Sequence, residues 1–580
     1  MSGRKSVKEE SKVHHGELKE NLEGVKLLKN IVQTSRGPHG KVKVIQNACG
    51  GHVTLTSSSG RLLPVLSVSK PLLKLLVTSA EGHLQKFSDG GLSLMAWCLN
   101  IVESAENSVV NNRVLIELND ELMELALSVL NADSFPGKVH LSLSNTVKIL
   151  SLVKTILSSK PLCKLSGECL KHIASLLVEC FLTSMKEDHK NANGVMILTS
   201  EGTSVDQSKY LPGILLFYPE ISSSQTKTLH FNMIKDGRIL VALVTTSMSG
   251  DSEEVIQGQY HQNTEVNAQQ TVIEYIMTFC NRIIDHKVGV IMCQRVIHPK
   301  IKTYLRRKGV FVIERMGARI TSYVQDLTGS IPIDSFSCDP MKNVGWLDAV
   351  DHVILNKKSY LHLQRADRGV NSLLLYGMEE ETVSELKLVC ETALSSLQNT
   401  IQYPIVLCGG GCWETSLAFS IKQKMEEKRS SILEKTMCTP SALSAACEIF
   451  CNSLLKVARS SGYPGVMMMT AYPTFHCWRV PLDSDEHYDL DTLKCSCGMV
   501  TEKMDTLISV NDIKIDSHSS INDTVLKNEI SNLQQISQTK SCHVDSYISN
   551  VSALKNAVST ANMMLNVGNC LQDINGTCGY

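Results

Sequence analysis

The sequence predicts a multidomain protein with α and α/β parts, in which a helical body built from both ends of the chain carries an α/β block in its middle. Two patterns predict this. Apolar residues recur at helical spacing from residue 17 to about residue 180 and again beyond Met378, whereas short β-branched runs alternate with helical stripes between about 193 and 363. The length agrees, because 580 residues exceed what one hydrophobic core usually serves, and about two to four domains are expected.

Taken in order, Leu18, Leu22, Val25, Leu28 and Val32 mark one face of a helix that runs into Gly37 and Pro38. Residues 42–45 and 52–56 alternate as a short hairpin with Gly50 and Gly51 at its turn. Residues 62–144 read as helical, interrupted at Pro71 and around Asp89, and the helical pattern continues to Cys180 with a break at 158–161. The runs at 214–217, 239–245, 288–293 and 310–313 read as strands, and Val272, Ile276, Phe279 and Ile283 form a helical stripe just before the third. Leu386, Cys390, Ala393 and Leu397 mark a helix leading to a strand at 405–407, and Val551, Leu554, Val558, Ala561 and Leu565 mark a last one. The Ser/Asn/Asp-rich stretch 483–541 reads as a largely unstructured, flexible insert. No repeat of 20 to 50 residues is visible.

A net charge of −1 gives no electrostatic case for a nucleic-acid or acidic-membrane partner. No apolar stretch reaches the roughly 18 residues that would span a bilayer without polar interruption. The first 20 residues are charged and lack a signal-peptide core, so the 20 cysteines are expected as free buried thiols in a reducing cytoplasm. The Asn575-Gly-Thr577 sequon is then expected to go unused. Cys408 with Cys412, and Cys495 with Cys497, are close cysteine pairs. Neither is followed by a second pair at zinc-finger spacing, so no cysteine metal site is expected, and Cys408, Cys412 and Trp413 read as core at a hinge.

Three glycine loops carry the functional signal: S-R-G-P-H-G-K at 35–41, F-S-D-G-G-L-S at 87–93 and I-V-L-C-G-G-G-C-W-E at 405–414. Glycine lets backbone N–H groups close on an anion, but phosphoryl chemistry also needs carboxylates to hold magnesium and orient water. Those acids are mostly missing. Asp89 is either a magnesium ligand or a cap of the helix that follows, and Asp545 either faces a nucleotide or makes an Asx turn before a helix. Arg306, Arg307 and Lys308 read as the solvated end of a helix.

The arrangement resembles the group II chaperonins, the family of the thermosome and the eukaryotic cytosolic chaperonin. V-I-M-C-Q-R-V-I at 290–297, then Leu305, Gly309, Arg315 and Thr328-Gly329, is similar to the family's apical segment, and H-V-D-S-Y from His543 to its adenine-facing turn. The resemblance implies a chaperonin subunit fold. Its equatorial helical domain would comprise 1–146 and 405–580, its small intermediate domain 147–198 and 369–404, and its α/β apical, client-facing domain 199–368. Residues 249–267 fall where the family carries a helical lid protrusion. Nucleotide-binding positions carried over by the resemblance are Gly37, Pro38, Gly40, Asp89, Gly90, Gly409, Gly410 and Asp545, with Asp89 matching the magnesium-binding acid.

The departures from the family pattern point away from catalysis. Ser58 stands where an acid is expected, Gly91 and Leu92 replace two phosphate-bonding hydroxyls, and Thr392, 17 residues before Gly409, stands in the slot of the water-activating aspartate. Threonine is no general base near neutral pH, and Glu391 beside it points about 100° away on the helix. No catalytic residue is assigned. No cofactor is required, and residual binding of ATP or ADP with magnesium is left open.

These losses together resemble a chaperonin-like branch. That likeness implies a non-hydrolysing chaperone that works with the cytosolic chaperonin and other chaperonin-like proteins on BBSome subunits, the ciliary trafficking coat, in the cytoplasm and at the centrosome or basal body. Two alternatives stay open: an active ATP-driven foldase that forms its own ring with Glu391 as substitute base, and a basal-body scaffold with no chaperone role.

Overall fold

A computed structural model describes residues 12–15, 18–46, 53–185, 194–219, 237–250, 268–460, 466–481, 493–510 and 542–572. The chain forms two compact units, Met1–Ser175 with Glu379–Tyr580, and Leu176–Met378.

The first unit is built around helix Gly91–Glu106. Leu94, Met95, Trp97, Cys98, Leu99 and Ile101 are all fully buried, so this helix is apolar on every side and must be wrapped by others. Helices Leu18–Thr34, Pro71–Phe87, Pro440–Arg459 and Tyr547–Asn566 pack on it. Trp97 meets Trp413 edge to face, with ring centroids 5.7 Å apart. Among the described residues Pro440–Arg459 is the one helix that is long and apolar enough by composition to cross a bilayer, although Glu448, Asn452 and Lys456 interrupt it. Its Leu443, Phe450, Leu454 and Val457 are buried in this core, so its hydropathy is accounted for by packing. Helix Pro440–Arg459 starts in the way its sequence dictates: Thr439 accepts from the Ala442 N–H at 3.2 Å and Pro440 takes the first helical position.

A three-stranded antiparallel sheet underlies the glycine triplet, with Ile405–Cys408 in the centre between Lys138–His140 and Val544–Ser546. The predicted hairpin forms from Lys43–Gln46 and Val53–Thr56, while its turn lies outside the described residues. The stretch expected to be unstructured needs correction. Residues 493–510 are ordered into short strands Leu493–Lys494, Thr501–Glu502 and Ile508–Ser509, the last pairing with Val466–Thr470. Residues 511–541 lie outside the described set, as does most of the expected lid segment at 249–267.

In the second unit three of the four predicted strands assemble into one sheet with a fourth that was not predicted, in the order Phe311–Ile313, Val290–Cys293, Ile239–Val244 and Gly345–Leu347. The first three run parallel, and Gly345–Leu347 closes the edge antiparallel. Side chains alternate with the pleat: Ala242, Val244, Ile291 and Cys293 pack under helices Ala268–Asp285 and Pro299–Arg307, while Val241, Leu243, Val290 and Met292 pack on the opposite side with Val324 and Leu327. Two further three-stranded sheets join Ile214–Phe217 with Lys358–Gln364 and Ala349–Leu355, and Val195–Glu201 with Asn371–Gly377 and Lys209–Pro212.

Candidate functional site

In the first unit the glycine loops converge on one cleft. Gly37, Pro38, Asp89, Gly90, Gly410 and Asp545 line it, six of the eight positions singled out from sequence. Gly40 and Gly409 do not. Gly40 closes the first loop by donating to the Gly37 carbonyl at 3.0 Å, and Gly409 lies against the backbone of His543. At Gly90 φ is +83°, and a Cβ would meet His83 Nε2 at 2.9 Å, so this turn needs glycine twice over. Helix Gly91–Glu106 starts with Gly90, not Asp89, in the N-cap position. Asp545 likewise sits within strand Val544–Ser546, and helix Tyr547–Asn566 has no side-chain cap.

Sequence reading missed the charged groups that face the loops. Arg36, Lys160, Glu414 and Arg479 also line the cleft. Arg36 is held by the Val457 carbonyl at 3.1 Å, Ser460 Oγ at 2.8 Å and Ser93 Oγ at 3.3 Å, and its neighbouring charges are Glu414, Asp545 and Asp89. Burial, reinforced by Asp545, pushes the Glu414 carboxyl up to about 8, against the pull of Arg36. Burial and the charge of Asp89 push Asp545 up to about 7. The cleft therefore holds partly protonated acids and fixed cations near neutral pH, an arrangement that tolerates an anion. Glu414 Oε2 is buried without a partner among the described residues, so the donor set leaves polar capacity unspent.

Ser58 does not substitute for the expected acid in the cleft. Its hydroxyl donates to Glu385 Oε1 at 2.6 Å, and the Ser57 N–H and the Thr56 hydroxyl donate to the same carboxylate, at 3.1 Å and 2.9 Å. Arg61 stands 3.6 Å away, and Glu385 is fully buried. A carboxylate on helix Glu380–Gln402 thus gathers the segment Thr56 to Ser58 around itself. About two turns further along the same helix, Thr392 lines a small adjoining cleft with Ser58, Ser88, Asp89 and Lys160. Its hydroxyl donates back to the Leu388 carbonyl at 3.0 Å, and Glu391 lines neither cleft.

A profile of the TCP-1/cpn60 chaperonin family matches residues 28–575. The chain belongs to the TCP-1/cpn60 chaperonin family. This chaperonin is 31% identical to the molecular chaperone MKKS of Homo sapiens over 558 residues, covering 95% of each chain. It is 31% identical to the same-named chaperone of Mus musculus over 554 residues, again 95% of each. Thermosome subunit alpha of Sulfurisphaera tokodaii is 21% identical over 424 residues, 70% of this chaperonin and 73% of that chain.

Beneath the glycine triplet the chaperonin holds a second cluster that the cysteine spacings did not reveal. Cys412, His476, Cys495 and Cys497 place one ligand atom each within 4.8 Å of all the others. The spacing argument compared cysteines along the chain; the cluster is assembled from separate segments and includes a histidine.

Proposed function

We propose that this chaperonin-like chain assists protein assembly without turning over ATP. Thr392 carries the reading: the hydroxyl over the Asp89 loop is bonded back into its own helix, and the neighbouring Glu391 does not line the cleft in its place. If ATP or ADP with magnesium binds, the loops at Gly37, Gly90 and Gly410 would hold phosphate and Asp89 the metal; such binding supplies a conformational clamp rather than hydrolysis. The similarity to proteins named molecular chaperones over 95% of the chain supports a chaperone role. The proposed clients are BBSome subunits. The proposed co-workers are the cytosolic chaperonin and other chaperonin-like proteins, in the cytoplasm and at the centrosome or basal body. Client contact is assigned to the apical block 199–368 of the three-domain division.

The test pairs two measurements. Affinity capture from ciliated cells is expected to recover newly made, incomplete BBSome subunits, and the purified chain is expected to release phosphate from ATP at buffer background. Turnover at the rate of an intact chaperonin ring, unchanged in Thr392→Ala, would overturn the reading of the site. Capture of stable basal-body structure alone would overturn the assembly role.

A further inference from the structure

The cluster beneath the glycine triplet has the composition and closure of a metal centre. Cys412 opens helix Cys412–Glu427, His476 precedes strand Cys477–Pro481, and Cys495 and Cys497 lie in the turn between strands Leu493–Lys494 and Thr501–Glu502. Cys495 and Cys497 sulfurs are 3.2 Å apart, and Cys497 Sγ is 3.3 Å from His476 Nδ1. A tetrahedral zinc, with Zn–S of about 2.3 Å and Zn–N of about 2.0–2.1 Å, sets its ligand atoms roughly 3.5–3.8 Å apart. The observed separations, from 3.2 Å up to no more than 4.8 Å, bracket that spacing. Relative exposures of 0%, 1%, 4% and 0% for Cys412, His476, Cys495 and Cys497 keep water out.

The surroundings fit the same centre. The Val500 N–H donates to Cys495 Sγ at 3.2 Å, and the Gly498 N–H to the Cys495 carbonyl at 2.8 Å, with Gly498 at φ +79°. An amide aimed at sulfur supports thiolate, the form that binds metal. His476 Nε2 is buried with no partner among the described residues, and the contact of the ring at Nδ1 is to the cluster thiol of Cys497. Two further cysteines lie beside the group of four mutually close ligand atoms: Cys477 Sγ is 3.6 Å from Cys412 Sγ and 3.4 Å from the Gly410 carbonyl, and Cys408 Sγ is 3.5 Å from Met499 Sδ. The four are three sulfurs and one imidazole, which suits zinc by softness and geometry.

We propose that Cys412, His476, Cys495 and Cys497 form a structural zinc site that clips three chain segments beneath the cleft. The set is closed and dry, so the metal has no open position for chemistry. Its effect reaches the cleft through backbone. The Ser496 N–H donates to the Cys477 carbonyl at 2.8 Å, the His543 N–H to the Cys497 carbonyl at 3.0 Å, and Arg479 to the Gly410 carbonyl at 3.0 Å. Binding exchanges thiol protons for the cation, so affinity rises with pH.

The test uses the full chain, tag removed, purified under reducing conditions from zinc-supplemented cells. Elemental analysis is expected to find one zinc per chain, and cobalt exchange to give the thiolate charge-transfer and tetrahedral d–d bands. The double variant C495S/C497S is expected to lose the metal while Cys169→Ser retains it. A folded wild type without zinc, a cobalt spectrum without thiolate bands, a Cys495–Cys497 disulfide in the protein as isolated, or full zinc retention by a folded C495S/C497S would each overturn the proposal. If the double variant does not fold, the zinc content and cobalt spectrum of the wild type decide.

Discussion

The hydroxyl of Thr392 lies 3.4 Å from the carbonyl oxygen of Ser88, directly over the loop that carries Asp89. Helix Glu380–Gln402 therefore still presents a polar side chain to that loop, but one that accepts no proton at neutral pH.

Restoring the acid alone is not expected to restore turnover. Thr392→Asp supplies the general base, worth about 10²–10⁴-fold where the rest of a site is intact. Leu92 still occupies a position where the resemblance puts a phosphate-bonding hydroxyl. Phosphate release by Thr392→Asp should remain at the wild-type background; a rise of about a hundredfold would show that only the base is missing.

Glu385 is expected to matter more for stability than any residue lining the cleft. Glu385→Ala leaves the buried donors of Thr56, Ser57 and Ser58 unpaired and removes the partner of Arg61, a loss of about 3–5 kcal/mol. Urea titration followed by circular dichroism measures it. A cost under about 1 kcal/mol would mean that the loop is held by other contacts.

The pH dependence has a definite sign. Glu414 titrates at about 8 in the folded chain and at about 4.3 when unfolded, so the native state binds the extra proton between these values. Its contribution to stability is full below the unfolded value and is lost as pH rises through about 8. Glu414→Gln removes this loss, and its stability relative to wild type should rise from pH 5 to pH 8 by at least roughly 1 kcal/mol. Denaturation curves at both pH values check it; a relative stability that falls with pH would reverse the assignment.

Gly410→Ala should damage both the cleft and the cysteine cluster. At φ +70° a side chain is strained, and its Cβ would lie 2.8 Å from the Ser496 carbonyl oxygen, a backbone atom that cannot rotate away. A cost of about 1–3 kcal/mol is expected from thermal unfolding, with weakened retention of added zinc. Gly82→Ala, where a Cβ meets nothing within 4 Å, is the matched control.

Much of this architecture was legible because its signals are local. The stripe at Val25, Leu28 and Val32 and the one at Leu554, Val558 and Ala561 report helices whose buried faces are set by spacing alone. The β-branched runs of the second unit found its main sheet for the same reason. Strand Asn371–Gly377, reading N-S-L-L-L-Y-G, was missed because a leucine run suits helix and buried strand equally, and its partner Val195–Glu201 is far away in the chain. At the site, the loops were legible through glycine, whereas Arg36, Glu414 and Glu385 carry no local mark of burial. The only hint of Glu385 was a segment with four consecutive hydroxyl residues, Thr56 to Ser59, and nothing obvious to bond. The cysteine cluster escaped because its ligands meet only after distant segments fold together.

The sheet under the glycine triplet has a consequence for biosynthesis. Its central strand Ile405–Cys408 pairs with Lys138–His140 on one edge and Val544–Ser546 on the other. At about 5–20 residues per second, the roughly 400 residues between the outer strands take about 20–80 s to be made. Throughout that interval helix Gly91–Glu106, apolar on every side, waits on the ribosome without the C-terminal helix Tyr547–Asn566 that covers it. The nascent chain thus exposes its stickiest helix for most of its own translation.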